Sequence, residues 1–275
     1  MWHNYFKPIL FTLVLCVWSC TLVITSHDAT HTTQATPAKT VTFLPHPKRV
    51  GIAFPLLIKA SPSVSRQSLY HDITIKPPEN FTIAPLGHHV FAVRPMTFWS
   101  DATTIRCVTH DLASPEETTW HTDDGKILLV NLSTQTMEAY EDGILVRVMP
   151  VSTGTAPNWT TPTGSFYIYR RVKDDHMRGG TPGTKDYWNV RHVPYAQYIY
   201  QGIAIHGAWW NHHFGTPRSH GCIQLSTRFR HPQPDSIVDN AQWAWEFADL
   251  GTPVKVFGKT PLSAQKPLSY PVESA

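Results

Sequence analysis

Cysteine is scarce in this chain: of 275 residues only Cys16, Cys20, Cys107 and Cys222 carry a thiol. No Cys-x-x-Cys pair and no His-Glu-x-x-His stretch occurs, which removes two familiar zinc signatures. Charge is sparse too, at 16% of residues with a net +3, and no basic run is interleaved with aromatics, so nothing points to nucleic acid. Apolar runs of membrane-spanning length are missing. The longest, Ile9 to Ile24, has sixteen residues, whereas a helix crossing a bilayer needs about twenty. Behind Lys7 at the N terminus, that run reads as a signal-peptide core or, if uncleaved, a membrane anchor over residues 1–25. The rest is long enough for one or two domains with a sizeable core.

Cys16 and Cys20 fall in the targeting segment, so the folded part holds two thiols. An exported chain meets an oxidising compartment in which Cys107 and Cys222 could pair. A disulfide would consume a nucleophile, however, and both are expected to be free, with Cys107 buried on a strand.

Cys222 stands in Ser219-His220-Gly221-Cys222-Ile223-Gln224-Leu225, downstream of Ile203-Ala204-Ile205-His206-Gly207. A thiol with an unperturbed pKa of about 8.5 attacks a carbonyl well only beside a base or a positive charge. Two imidazoles are at hand. If residues 220–222 are extended, His220 and Cys222 share a face, because strand side chains alternate. His206 ends an apolar run that reads as a buried strand. Gly221 lacks a Cβ, so backbone N–H groups there can turn toward an oxyanion. The residues leave open which histidine is the base. His206, His212, His213, His220 and Cys222 could also serve zinc, but Trp209-Trp210 occupies the loop between them and no metal is implied.

The segment resembles the signature of the L,D-transpeptidases, the YkuD-type cell-wall enzymes. The resemblance extends through Ile127 to Val130, Tyr140-Glu141-Asp142-Gly143, Val151-Ser152-Thr153-Gly154 and Thr161 to Phe166, and ends near Val254-Lys255-Val256. It implies that Cys222 is the nucleophile and His206 the base, oriented by the carbonyl of Gly207. Amides around His220, Gly221 and Cys222 would form the oxyanion hole, with Ser219 and His220 bracing the turn. Many members carry Arg or Asn where this chain has Gln224, which would then contact substrate, as would Gln201 and Gly202. No cofactor is implied. The implied partners are peptidoglycan stem peptides, donor and acceptor, with carbapenem β-lactams as inhibitors.

Residues 26–48, rich in Thr, Ser, Ala, Pro and His, read as a tether outside the membrane. From 49 to 112, short runs such as Ile52 to Ile58, Ile73 to Ile75, His89 to Val93 and Thr104 to Val108 predict a small sandwich. This part resembles the immunoglobulin-like module of mycobacterial-type members, and its expected role is a spacer. A linker over 113–124 leads to a catalytic domain over 120–258 and a loose tail over 259–275. In that domain strands are expected at 126–132, 137–140, 144–149, 165–170 and 254–257, with a hairpin turn at Glu141-Asp142-Gly143. Residues 171–196 have no clear period and read as a lid or binding loop; the resemblance implies a lid over the cysteine there, with Met177 and Tyr187 or Trp188 as its contact residues. A helix is expected over Asp239 to Leu250, stopped by Gly251. The fold class is therefore mostly β: a sandwich, then a YkuD-type β-domain with one or two helices. The implied product is a cross-link between two third residues of peptidoglycan stems, made outside the cell. Stem trimming by water, or wall binding without chemistry, are the alternatives. A papain-like peptidase is disfavoured because the histidine precedes the cysteine.

Overall fold

A computed structural model describes residues 38–110, 115–184, 186–229 and 238–262. Residues 1–25, read above as a signal or anchor, lie outside them, as do most of the tether, part of the Pro-containing excursion after Arg228 and the tail beyond Leu262.

The first domain is a sandwich of two four-stranded sheets. Its strands are β1 (Val41–Phe43), β2 (Arg49–Val50), β3 (Leu56–Ala60), β4 (Ile73–Lys76), β5 (Phe81–Gly87), β6 (Val90–Pro95), β7 (Thr104–Thr109) and β8 (Glu117–Thr122). One sheet runs β1-β3-β6-β5 and the other β2-β8-β7-β4. The inward faces follow the period of two: Leu56 and Ile58 on β3 meet Ile73 and Ile75 on β4, Ile105 and Cys107 on β7, and Trp120 on β8 in a single buried cluster. Burying such a side chain contributes about 1.5–3 kcal/mol. Trp99 packs edge-on against Trp120 at 5.6 Å, and its indole N–H donates to the Phe54 carbonyl at 2.7 Å, so the ring is buried with its polar edge satisfied.

Strand pairing carries the sandwich past both edges read from sequence. Val41–Phe43, taken as tether, pairs with β3, and Glu117–Thr122, taken as linker, pairs with β7. The Ile52 to Ile58 run is a strand only from Leu56, and a short helix, α1 (Arg66–Asp72), was not anticipated.

The second domain contains β9 (Ile127–Asn131), β10 (Thr136–Glu141), β11 (Ile144–Pro150), β12 (Gly164–Tyr167), β13 (Arg170–Gly179), β14 (Trp188–Tyr200), β15 (Ile203–Gly207), β16 (Ile223–Leu225), α2 (Asn240–Phe247) and β17 (Pro253–Phe257). Five strands form the sheet β11-β10-β9-β17-β12, and four form β13-β14-β15-β16. Asp142 and Gly143 both have positive φ, 49° and 72°, as a two-residue hairpin between β10 and β11 requires. Leu128, Val130, Met137, Val254 and Val256 from the five-stranded sheet share a core with Ile199, Ile205, Ile223 and Leu225 from the other. Helix α2 closes that core with Ala241, Ala244, Phe247 and Ala248. Asp239 caps it by accepting from the Gln242 N–H at 2.9 Å, and it ends three residues before Leu250.

Residues 171–196 are not a structureless lid. Most of the described ones pair as a long antiparallel hairpin, β13 with β14, from Arg170 opposite Tyr198 to Gly179 opposite Trp188, with a register shift between Asp175 and Met177. The first residues of the supposed loose tail are pinned, the Lys259 N–H donating to Ser133 Oγ at 2.9 Å with Thr260 buried.

The two domains meet backbone to backbone. Gly51 N–H donates to the Leu250 carbonyl and Ala53 N–H to that of Gly251, at 2.8 and 2.9 Å. A Cβ on Gly51 would lie 2.2 Å from the Thr252 nitrogen, so only glycine permits the approach.

Candidate active site

Parallel pairing of β15 with β16, Ile205 opposite Ile223 and His206 opposite Gln224, forces the intervening chain back to the end where it began. Cys222, one residue before β16, thus comes level with Ala204, whose backbone N–H favours the charged form of the sulfur. The thiol donates a long bond, 3.9 Å, to the Gly202 carbonyl. Residues 220–222 are not extended as expected: the chain bends, with Gly221 at φ +123°, and the strand begins at Ile223.

The bend is braced from several sides. Ser219 Oγ donates to the Cys222 carbonyl at 2.5 Å and accepts from the Gly221 N–H at 3.1 Å. That bond engages the Gly221 amide in this structure. Thr161 Oγ1 accepts from the Gly154 N–H and donates to the Gly221 carbonyl, each at 2.8 Å. The Ser152 N–H donates to the Gln224 carbonyl and the Gln224 N–H to that of Ser152, at 3.0 and 2.9 Å; the Ser219 N–H donates to the Thr153 carbonyl at 3.0 Å. Gln135, fully buried, holds Thr153 in turn, its amide bonding the Thr153 N–H at 2.9 Å and Oγ1 at 2.7 Å. The Val151 to Gly154 and Thr161 to Gly164 stretches are thus the mould into which the cysteine turn is pressed.

Cys222 opens on a cavity of about 200 Å³. Its apolar walls are Met177 and Trp188 from the hairpin, Val190 and Val193 beyond them, and Ile203 and Trp210; Gly202, His206 and His220 complete it. His206 is buried, 3% exposed, and its Nδ1–H donates to the Gly207 carbonyl at 2.9 Å. The lone pair of the neutral ring therefore resides on Nε2. His220 sits between Trp159, edge-on at 5.0 Å, and Trp188, stacked at 6.2 Å.

Burial decides the resting charge. It pushes the Cys222 thiol up to about 11, against a smaller opposing effect of the Ala204 N–H, and pushes His206 down to about 4. His220 is also lowered by burial. At neutral pH the site holds a neutral thiol and a neutral imidazole, not an ion pair. For this thiol to act as a nucleophile, its proton would have to pass to a base as the new bond forms. Iodoacetamide alkylation of Cys222 is accordingly expected to be slow at pH 7 and to climb about tenfold per pH unit to about pH 10. A rate that levels off by pH 7.5, followed by peptide mass spectrometry, would show a preformed thiolate instead.

Cys222, His206, His220, Gly202, Met177 and Trp188 all line this cavity. Three expected substrate contacts do not. Gln224 is fully buried, its Oε1 accepting from Asn211 Nδ2 at 3.1 Å, because pairing with both Ser152 and His206 turns it into the domain. Gln201 is exposed at the turn between β14 and β15, its amide on the Tyr200 hydroxyl. Tyr187 lies just outside β14 and off the lining. Val190, Val193, Ile203 and Trp210 were missed as lining residues. The alternation Trp188, Val190 along β14 was the available signal for the first.

Residues 125–256 match the L,D-transpeptidase catalytic domain of the YkuD family. This second domain is a YkuD-type L,D-transpeptidase catalytic domain. L,D-transpeptidase 1 of Mycobacterium tuberculosis is 28% identical over 222 residues, covering 76% of this chain and 80% of that protein. A solved L,D-transpeptidase from Mycobacterium smegmatis has a TM-score of 0.68 at 24% identity, covering 81% of this chain and 100% of its own. An L,D-transpeptidase solved in complex with imipenem has a TM-score of 0.66, with the same identity and coverage. At 81% the likeness in fold reaches beyond the L,D-transpeptidase domain into the N-terminal sandwich.

Proposed function

We propose that the chain is an exported peptidoglycan L,D-transpeptidase working through a Cys222 thioester. One observation carries the reading: a thiol and a buried imidazole line the same apolar cavity, with the imidazole held by Gly207 so that its free lone pair is on Nε2. Sγ attacks the carbonyl between the third residue of a donor stem and its terminal D-alanine, while His206 Nε2 takes the thiol proton. The tetrahedral intermediate collapses, D-alanine leaves with that proton, and the acyl group stays on sulfur. The side-chain amine of an acceptor stem then attacks the thioester, closing a cross-link between two third residues. The thioester retains the energy of the cleaved bond, so no ATP is needed outside the cell.

The walls favour transfer over hydrolysis. Met177, Trp188, Val190 and Val193 offer water few partners around the thioester, while a stem's amine arrives tethered to groups that bind. Opening of a carbapenem ring by the same sulfur is the corresponding inhibitory reaction. The N-terminal apolar run supports export, and the sandwich would hold the catalytic domain away from the membrane. Purified protein incubated with tetrapeptide stems is expected to give cross-linked dimers and free D-alanine. Tripeptides without dimers would make it an L,D-carboxypeptidase. Stem binding with neither product would leave a wall-binding protein.

A further inference from the structure

Behind the cavity lies a polar group that the mechanism above does not use. Asp175 on β13 has a side chain only 12% exposed, on the strand that gives the cavity Met177. Its Oδ2 accepts from the Tyr198 hydroxyl at 2.5 Å, its Oδ1 from the His176 N–H at 2.9 Å, and Arg170 reaches Oδ2 at 3.5 Å from a half-exposed position. The Arg170 guanidinium also lies 4.4 Å over the Tyr198 ring. Strand register explains the placement: Asp175 is opposite Val193, which lines the cavity, and Tyr198 is opposite Ala204, two residues before His206 on β15 and so on the same face. Tyr198 is 9% exposed and belongs to the apolar cluster against which Cys222 packs.

We infer that Asp175, held against the back of the site by Tyr198, is a positioning residue that stabilises the imidazolium of His206 as the thiol proton reaches it. The inference rests on the thioester reading above. Attack converts a neutral, fully buried ring into a cation, and a cation in that setting needs a fixed negative charge nearby more than a solvated one would. Asp175 acts on His206 in that sense, favouring its charged form against the penalty of burial. The phenol has two tasks. Its hydroxyl fixes the carboxylate, and its ring fills the space behind the sulfur, keeping the charge from touching the thiol directly. The charged or titratable groups facing Asp175 are Arg170 on its own strand, Tyr198 on β14, His206 on β15 and Cys222 beyond; the Asp174–His192 pair beside it is half exposed, and Asp186 acts on His220 instead. None of the others supplies negative charge to His206.

The proton balance is closed within the site. The proton leaves Sγ for His206 Nε2 and departs on the leaving amine, and Asp175 neither gives nor takes it. The test is the rate of carbapenem acylation, followed by intact-protein mass spectrometry from pH 4 to 8. Asp175→Asn keeps the hydrogen-bond acceptor for Tyr198 and removes only charge. It is expected to slow acylation at pH 7 about tenfold and to move the acid limb to lower pH, with half-saturating carbapenem unchanged within about twofold. Arg170→Gln removes the competing cation and is expected to shift the acid limb the opposite way. A purely structural role would not produce opposite signs. Should Asp175→Asn fail to fold, the sign of the Arg170→Gln shift decides. Wild-type rates and limbs in folded Asp175→Asn, or an unshifted limb in Arg170→Gln, would overturn the inference. A wild-type chain that takes no adduct would overturn the thioester reading first.

Discussion

Cys222→Ala is expected to leave the protein folded and to abolish acyl transfer, with no mass gain after exposure to a carbapenem and a loss of at least about 10⁴-fold in cross-linking rate. Nothing nearby can stand in for the thiol. The Ser219 hydroxyl is committed to the Cys222 carbonyl and the Gly221 N–H, and that of Thr161 to the Gly221 carbonyl and the Gly154 N–H. Cys107 is in the sandwich, fully buried, with burial pushing its thiol up to about 12. Removing one sulfur from a partly exposed position on the cavity wall costs little packing, so the melting temperature is expected to stay near that of the wild type. An adduct of unchanged mass on the alanine variant would place the acylated residue elsewhere and dismantle the mechanism proposed here.

That prediction rests on residues legible in the sequence, and the reason is that their chemistry is local. A histidine at a strand end, a Ser-His-Gly-Cys turn and an Asp-Gly hairpin each carry their own conformational cause within a few residues. What could not be read depends on pairing across the chain. β8, Glu117–Thr122, shows one apolar inward residue, Trp120, among polar ones, and is a strand because β7 offers it an edge and Arg106 reaches Glu117 across the pair. β13 reads as polar and irregular because it is the outer strand of its sheet, where only Met177 is buried. Gln224 is implied as a substrate contact by the resemblance, at a position where many members carry Arg or Asn. Its burial follows from two partners, His206 and Ser152, that are 18 and 72 residues away in sequence. Asp175 and Tyr198 had no motif at all; only a register set by β14 against both neighbours brings them behind the sulfur.

Gly154→Ala is expected to slow the enzyme about 10²-fold, from a residue outside the cavity lining. An added Cβ would stand 1.8 Å from the Trp159 carbonyl oxygen and 2.8 Å from the Gly221 Cα, both backbone atoms that cannot swing aside like a side-chain tip. Either the Trp159 turn or the cysteine turn must move. The Trp159 side carries the ring against which His220 packs, and the other side carries Cys222 itself. Overpacking of this kind costs about 1–3 kcal/mol or more, which for a protein of this size lowers the melting temperature by about 2–4 °C per kcal/mol. The kinetic effect is larger, because a shift of about 1 Å in a reacting group can cost 10²-fold in rate. Slower acylation by that order, with a modest fall in melting temperature, is therefore the expected pair of results. Gly143→Asn, at a hairpin tip where a Cβ would meet nothing within 4 Å, is the matched control and is expected to acylate normally. Wild-type acylation by Gly154→Ala would mean that the bend at Gly221 is not held by its contact with Gly154, and that the bonds from Thr161 and Ser219 suffice to keep the sulfur in place.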